Sequence, residues 1–397
     1  MAAWSPQTLP VLGLQATGNL TAVSCLTASS CLGVGYSRNA QGVYESLVGR
    51  WDGASWSIES NDDPVGSNNA FLTGVHCFDA TQCVAVGDYV DPSGQQVAMP
   101  ERLSGHRWAL QAMPGPAGPG ATYLTSLSCA STEACLAVGY VELTGYRATA
   151  AYQWNGSGWQ LQSVPDPTNG SGSQLSSVSC GSPTECVAVG LSGAGTSFDR
   201  QPLTARWDGS SWSLTTPVTF PGAQKGGLDA VSCPSVTECL AVGSWSGSTK
   251  ESGVLAQRWD GSAWHLQSTP TGPQEQLTSI SCSSMTACVT LGDGASHTVA
   301  LRWTGDAWVG STPAAGRQAA LSCTGATSCT AVGGIDGHSS SATWDGSSWT
   351  GHTLTYRAGA IASSLQDVSC ISPRECVAVG QYSPTAGRTR PLVACRL

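Results

Sequence analysis

The chain has 397 residues, only 11% of them charged, and a formal net charge of −9. With no basic run and only Lys225 and Lys250 as lysines, that balance excludes a polyanion-binding surface, and with it nucleic acid as a partner. No apolar run approaches the ~20 residues a membrane helix needs, and 48 glycines among abundant Ser and Thr favour a turn-rich β protein.

The N-terminal MAAWSPQTLP has neither the charged n-region nor the apolar h-region of a signal peptide. Yet 17 cysteines indicate an oxidising compartment. The two agree if a signal sequence is absent from this chain, or if the chain is cut from a larger secreted protein. The expected location is therefore extracellular or at the cell surface. Trp4 heads a short strand, 3–10, that matches the fourth strand of the repeats which follow.

Repeats start near 20, 72, 124, 175, 228, 277, 318 and 365, each carrying a cysteine pair six residues apart. A period near fifty residues signals a propeller or solenoid. In the fifth copy a first strand runs from Leu228 to Cys233 and a Ser/Thr/Pro-rich turn follows. A second strand runs from Cys239 to Gly243. After a variable segment, a third strand ends at Trp259, and the turn Asp260-Gly261-Ser262-Ala263 leads to a fourth that starts at Trp264. Asp-Gly between β-prone segments is a strong hairpin signal. Four antiparallel strands per repeat describe a propeller blade. The chain stops at Ala394-Cys395-Arg396-Leu397, which matches a third strand. The expectation is one all-β domain over 1–397, an eight-bladed β-propeller in which strand 3–10 completes the last blade and removes the open edge.

Opposed residues of a hairpin lie within disulfide range. The expected bonds are Cys25–Cys31, Cys77–Cys83, Cys129–Cys135, Cys180–Cys186, Cys233–Cys239, Cys282–Cys288, Cys323–Cys329 and Cys370–Cys376. Structural zinc needs four ligands with other spacings, so no metal or cofactor is expected. Cys395, placed at the position of Ala205, is left as a buried free thiol. The tryptophans of W-D-G-x-x-W read as inter-blade packing, with Leu103 and Leu397 standing in for the partners of Trp108 and Trp4.

The recurrent VSC-x5-C-x-AVG and RWDGSSW phrases resemble repeats of secreted actinobacterial proteins, over essentially the whole chain. The W-D-G turns are more weakly similar to Asp-box and kelch-type propellers. They lack the fuller Asp-box pattern, so no sialidase or glycosidase site carries over. The resemblance implies a propeller outside the cell.

Constant turns occupy one end of each blade, and variable loops and linkers the other, where function is expected. Candidate ligand contacts there are Trp245, in the loop GSWSGSTKESG, and Tyr36, Tyr89, Tyr140 and Tyr382, which follow the second-strand glycine and could form an aromatic arc. The plain alternative is that these rings cap blade cores. His76 replaces a Ser found in the other seven copies, and Asp367 replaces a small first-strand residue where a propeller lines its channel. Asp88, Asp293, Asp336 and His338 fall near second-strand exits. With His76, these four make the one acid/base set, although no spacing among them is diagnostic. NDDP at 61–64 reads as a lone acidic turn. Sequons at Asn19, Asn155 and Asn169 matter only in a glycosylating host. No nucleophile elbow, P-loop, dinucleotide fingerprint or H-E-x-x-H occurs.

Composition and pattern thus point to a secreted binding module. A carbohydrate or cell-envelope glycan is the first expected ligand, and an extracellular protein or assembly the alternative. A polysaccharide-active or small-molecule enzyme with carboxylates at the channel mouth is the third. The oligomeric state is left open.

Overall fold

The structure, a computed structural model, describes every residue except 1–3, 8, 11–16, 116–119, 168–171, 194–199, 249–250, 295–296, 312–316, 336, 355–359 and 397. The described residues form strands and turns, with no helix. Each repeat folds as an antiparallel meander. In the fifth, Lys225–Ser232, Cys239–Ser246, Ser252–Trp259 and Trp264–Leu266 pair in chain order. The first and second repeats are joined into one eight-stranded sheet by a single parallel bridge between Tyr44 and Asn69. The others are separate four-stranded sheets, seven sheets in all, or eight if that bridge is discounted.

The sheets fall into two compact units. Met1–Ala112 with Ala314–Leu397 holds the seventh, eighth, first and second repeats, and Met113–Pro313 holds the third to sixth. Within each unit the cores lie between consecutive sheets. Leu20, Trp51, Trp56, Val379 and Val393 join the eighth to the first, and Val34, Val48, Leu72, Met99 and Trp108 join the first to the second. In the other unit, Leu175, Ala188, Leu203 and Trp207 of the fourth repeat pack on Leu136 and Val138 of the third. The second strands are buried on both faces, and alternate residues enter the core on either side: Leu32 and Val34 face the second sheet, and Cys31 the eighth.

Two recurring devices shape the sheets. The glycine of the A-V-G phrase sits where the first strand bulges towards the second. A Cβ at Gly35 would lie 2.1 Å from the Asn19 carbonyl oxygen, and one at Gly87 only 1.8 Å from that of Phe71, so only glycine fits. At the opposite end, the Asp of W-D-G-x-x-W accepts two backbone N–H groups, as Asp208 does from Ser210 and Ser211 at 2.8 Å each. The following Gly209 has φ +94, a left-handed conformation. The third-strand tryptophan ties this turn to the cysteine turn of the same sheet: Trp51 Nε1 donates to the Ala28 carbonyl at 2.9 Å and Trp303 Nε1 to that of Met285 at 3.0 Å.

All eight Cys-x5-Cys pairs are disulfides across this cysteine hairpin. On the chain-entropy model each small loop contributes about 2 kcal/mol. The serine before the first cysteine also links neighbouring sheets. Ser24 Oγ accepts from Cys77 N at 3.1 Å, Ser369 Oγ from Cys25 N at 3.0 Å, and Ser179 Oγ from Cys233 N at 3.0 Å.

The eighth sheet is made from both chain ends, because Ser5–Gln7 pairs with Arg388–Arg396. Its register corrects the sequence reading by one residue. Arg396, not Leu397, stands opposite Cys376, where Trp207 stands opposite Cys186 in the fourth repeat. Cys395 therefore matches Arg206 rather than Ala205. Leu397 lies outside the described residues. Cys395 is buried and unbridged, and burial pushes its thiol up to about 12.

Candidate functional site

At the variable end, sheet alternation separates the four candidate tyrosines into two sets. Tyr36 and Tyr140 follow the second-strand glycine by one residue, Tyr89 and Tyr382 by two. Successive strand residues point to opposite faces, so the tyrosines do not occupy equivalent places and the sequence-level arc is corrected. Tyr89 packs on the core between the first and second sheets, and Tyr382 on that between the seventh and eighth. Tyr140, in the other unit, stacks on Tyr123 with centroids 5.1 Å apart, and the Arg147 guanidinium lies 4.3 Å from its centroid. Arg147 also donates to Gln174 Oε1 at 2.7 Å and lies 3.5 Å from Glu142.

Trp245 is likewise relocated. It lies on the second strand of the fifth sheet, opposite Gly226 and Gly253, not in a loop. Its ring stacks on Phe220 with centroids 4.2 Å apart and planes 10° from parallel. Two glycines opposite a Trp leave room for the ring to lie flat against the strand.

Tyr36 belongs to the most developed constellation, in the first and second repeats. Its ring meets Phe71 edge-on at 5.1 Å and Tyr44 at 5.5 Å, and Tyr44 lies 5.3 Å from Phe71. Directly opposite Tyr36 stands Ser46, on the same face of the strand pair. The Ser46 hydroxyl donates to Asp63 and accepts from the Asn61 amide. That amide also donates to both carboxylate oxygens of Glu101, at 3.2 and 3.3 Å. Glu101 has no exposed surface. Burial pushes its carboxyl up to about 7, with Asp63 and Asp62 adding repulsion, and burial raises Asp63 too. Three half-buried rings thus border a carboxylate pair that holds the linker 60–68 against two sheets. Sealed from solvent, Glu101 positions that linker rather than touching a ligand.

Glu101 is absent from the sequence candidates, and Asn61 to Pro64 reads there as an isolated turn. A signal existed: Glu101 stands in a third-strand position that holds Ala205 and Gln257 elsewhere. Gln257 does the neutral version of the same task. It donates to the Val218 carbonyl and accepts from Val218 N, both at 2.9 Å.

Each remaining candidate has its own surroundings. Asp88 accepts from Gln96, and burial pushes it up to about 6. Asp367 spends its oxygens on Val23 N and Val368 N, each at 2.8 Å, and burial pushes it up to about 6. Ser126 and Ser177 make the same inter-sheet bond in other repeats, to Val178 N and Val231 N. His76 contacts Phe78 at 4.9 Å, and burial lowers its pKa. Asp293 ends a second strand, opposite Gln276 and Thr298, and His338 begins a third strand, exposed. Asp336 lies outside the described residues. Asp229, a first-strand carboxylate not singled out from sequence, is pushed up to about 6 by burial. Among the described residues no three His, Cys, Asp or Glu side chains gather as a metal site. Among them, too, no helix is long and apolar enough to cross a membrane.

Four-stranded antiparallel sheets stacked face to face, with tight turns at one end of each and variable loops at the other, define a β-propeller. Known structures agree. Sqt1 of Chaetomium thermophilum bound to the N-terminus of ribosomal protein L10 is similar with a TM-score of 0.60, over 96% of this chain and 97% of that one, at 10% identity. A second structure of Sqt1 from Chaetomium thermophilum is similar with a TM-score of 0.59 at 11% identity, over 96% and 97%. YCF48 bound to a D1 peptide is similar with a TM-score of 0.50 at 12% identity, over 99% and 97%. No protein-family model and no curated protein matches the chain.

Proposed function

We propose that the chain forms one closed propeller of eight blades over 1–397, completed by its N-terminal strand, and acts outside the cell as a binding module. Its variable-loop face takes an extended segment of a partner protein. The observation that carries this reading is the aromatic cluster Tyr36, Tyr44 and Phe71, braced through Ser46 by Asp63 and Glu101. Aromatic rings held on a rigid scaffold are the usual anchors of protein recognition. The peptides bound by Sqt1 and YCF48 support a segment as the ligand class. Eight disulfides suit an oxidising environment outside the cell.

A glycan is the second reading, favoured by the stacked Tyr123–Tyr140 pair with Arg147 and Glu142 beside it. A ring face next to hydrogen-bonding groups is what a sugar requires.

The test is binding of the oxidised protein to a peptide library and a glycan array, beside Tyr44→Ala and Tyr140→Ala. Peptide capture lost in Tyr44→Ala supports the first reading. Glycan capture lost in Tyr140→Ala replaces it with the second, and no capture on either array refutes both.

A further inference from the structure

Six repeats share the outer turn between third and fourth strands. In four of them an aspartate opens it: Asp52, Asp208, Asp260 and Asp345. The sixth repeat uses Thr304, whose hydroxyl accepts from Ala307 N at 3.3 Å. The third alone uses an asparagine, Asn155, followed by Gly156. Its side-chain oxygen takes over the aspartate's contacts. Asn155 Oδ1 accepts from Ser157 N at 3.0 Å, Ser157 Oγ at 2.8 Å and Gly158 N at 3.1 Å. Asn155, Gly156 and Ser157 are exposed, and Gly156 has φ +90.

The geometry points to Asn155 as a site of spontaneous deamidation, with the folded turn converting it to the aspartate the other repeats carry. The Gly156 nitrogen, its proton taken by hydroxide, attacks Asn155 Cγ, and a C–N bond forms. Negative charge gathers on Oδ1, where three donors already point, the arrangement that stabilises a developing oxyanion. Collapse breaks the Cγ–Nδ2 bond, and Nδ2 leaves as ammonia with a proton from water. The cyclic imide that remains is opened by water. Net, one water enters and one ammonia leaves, with no change of oxidation state. Glycine is required at 156, since any side chain there would crowd the attacking nitrogen and strain the left-handed φ.

Water opens the imide at either carbonyl. Opening at Cγ restores the main chain and leaves an ordinary aspartate at this position. Opening at the main-chain carbonyl leaves isoaspartate, which adds a methylene to the backbone between Trp154 and Gly156. Trp154 is paired directly with Trp159 and donates from Nε1 to the Thr132 carbonyl at 3.1 Å. Those fixed contacts favour the shorter backbone. The turn also favours the carboxylate itself, because the same donors lower the pKa of Asp208 and Asp260.

The experiment is to age the folded, oxidised protein at mildly alkaline pH and map its peptides by mass, separating aspartate from isoaspartate. The free peptide Gln-Trp-Asn-Gly-Ser-Gly-Trp, residues 153–159, is aged beside it. The expected result is conversion at Asn155 in the folded protein, with aspartate in excess of isoaspartate and a larger aspartate share than the free peptide gives. Ser157→Ala, which removes one donor, converts more slowly. Asn155 left intact while the free peptide converts overturns the inference, and so does an isoaspartate share in the fold equal to that in the peptide. Asn155→Asp serves as the authentic product in the mass map.

Discussion

The guanidinium of Arg396 lies 5.5 Å from the ring centroid of Trp4, a contact between the two ends of the chain. Six other sheets make this contact with a pair of tryptophans 5.4 to 6.0 Å apart. Arg396 Nη2 also donates to the Pro373 carbonyl at 2.8 Å and to Thr330 Oγ1 at 3.0 Å. The eighth sheet is thus closed by a buried cation over an aromatic face rather than by ring against ring. Arg396→Ala should destabilise the chain by about 2 kcal/mol, since it removes the ring contact and leaves buried acceptors unpaired. Arg396→Lys should recover less than half, because an ammonium cannot both stack and fork. Urea unfolding of the oxidised proteins reads both.

Glu101 makes stability depend on pH. Its folded pKa, about 7, lies above the ordinary 4.5, so the native state keeps a proton that the unfolded chain has lost between those values. Its contribution is therefore full below about 4.5, declines as pH rises, and is spent above about 7. Glu101→Gln, copying Gln257, should flatten that decline and raise stability at pH 8 by about 1 kcal/mol. Urea midpoints at pH 5 and pH 8 check it, and an unchanged slope in the variant refutes the assignment.

Asp229 occupies a place where other repeats carry a hydroxyl donor. Thr21 Oγ1 donates to the carbonyls of Val34 at 3.1 Å and Leu72 at 2.6 Å, and Thr125 does the same to Val138 and Leu175. An ionised carboxylate cannot donate. Asp229→Thr should therefore stabilise the chain by about 1 kcal/mol at neutral pH. Because burial pushes Asp229 up to about 6, the gain should shrink as pH falls from about 6 towards 3.8. Thermal melts across that range are the measurement.

Trp245→Ala should cost about 2 kcal/mol, because it removes a ring stacked on Phe220 and packed on the core between the fourth and fifth sheets. Peptide capture on the array should be unchanged. Capture lost at full stability would make Trp245 a ligand contact after all.

The repeat, the cysteine pairs and the tryptophan-flanked turns were all legible in the sequence because each is a short-range pattern. A disulfide between residues six apart, or a turn between two tryptophans, depends on little but local chain geometry. Legibility failed where one residue of register mattered. The tyrosines looked equivalent because they follow the same glycine, yet a step of one along a strand reverses the face. The C-terminal slip has the same origin, since Arg396 does not resemble the tryptophan whose place it takes.

Glu101 and Asn61 show the other limit. Nothing local announces that a third-strand carboxylate will meet a linker amide from before its own repeat, or that Ser46 of the preceding sheet will join them. By itself the sequence determined the period, the strands, the disulfides and the sheet made from both chain ends. Only the tertiary structure decided which polar groups are sealed together, because burial and charge proximity arise between sheets, and it is these that raise the carboxyl groups of Glu101 and Asp63 and brace the ring cluster beside them.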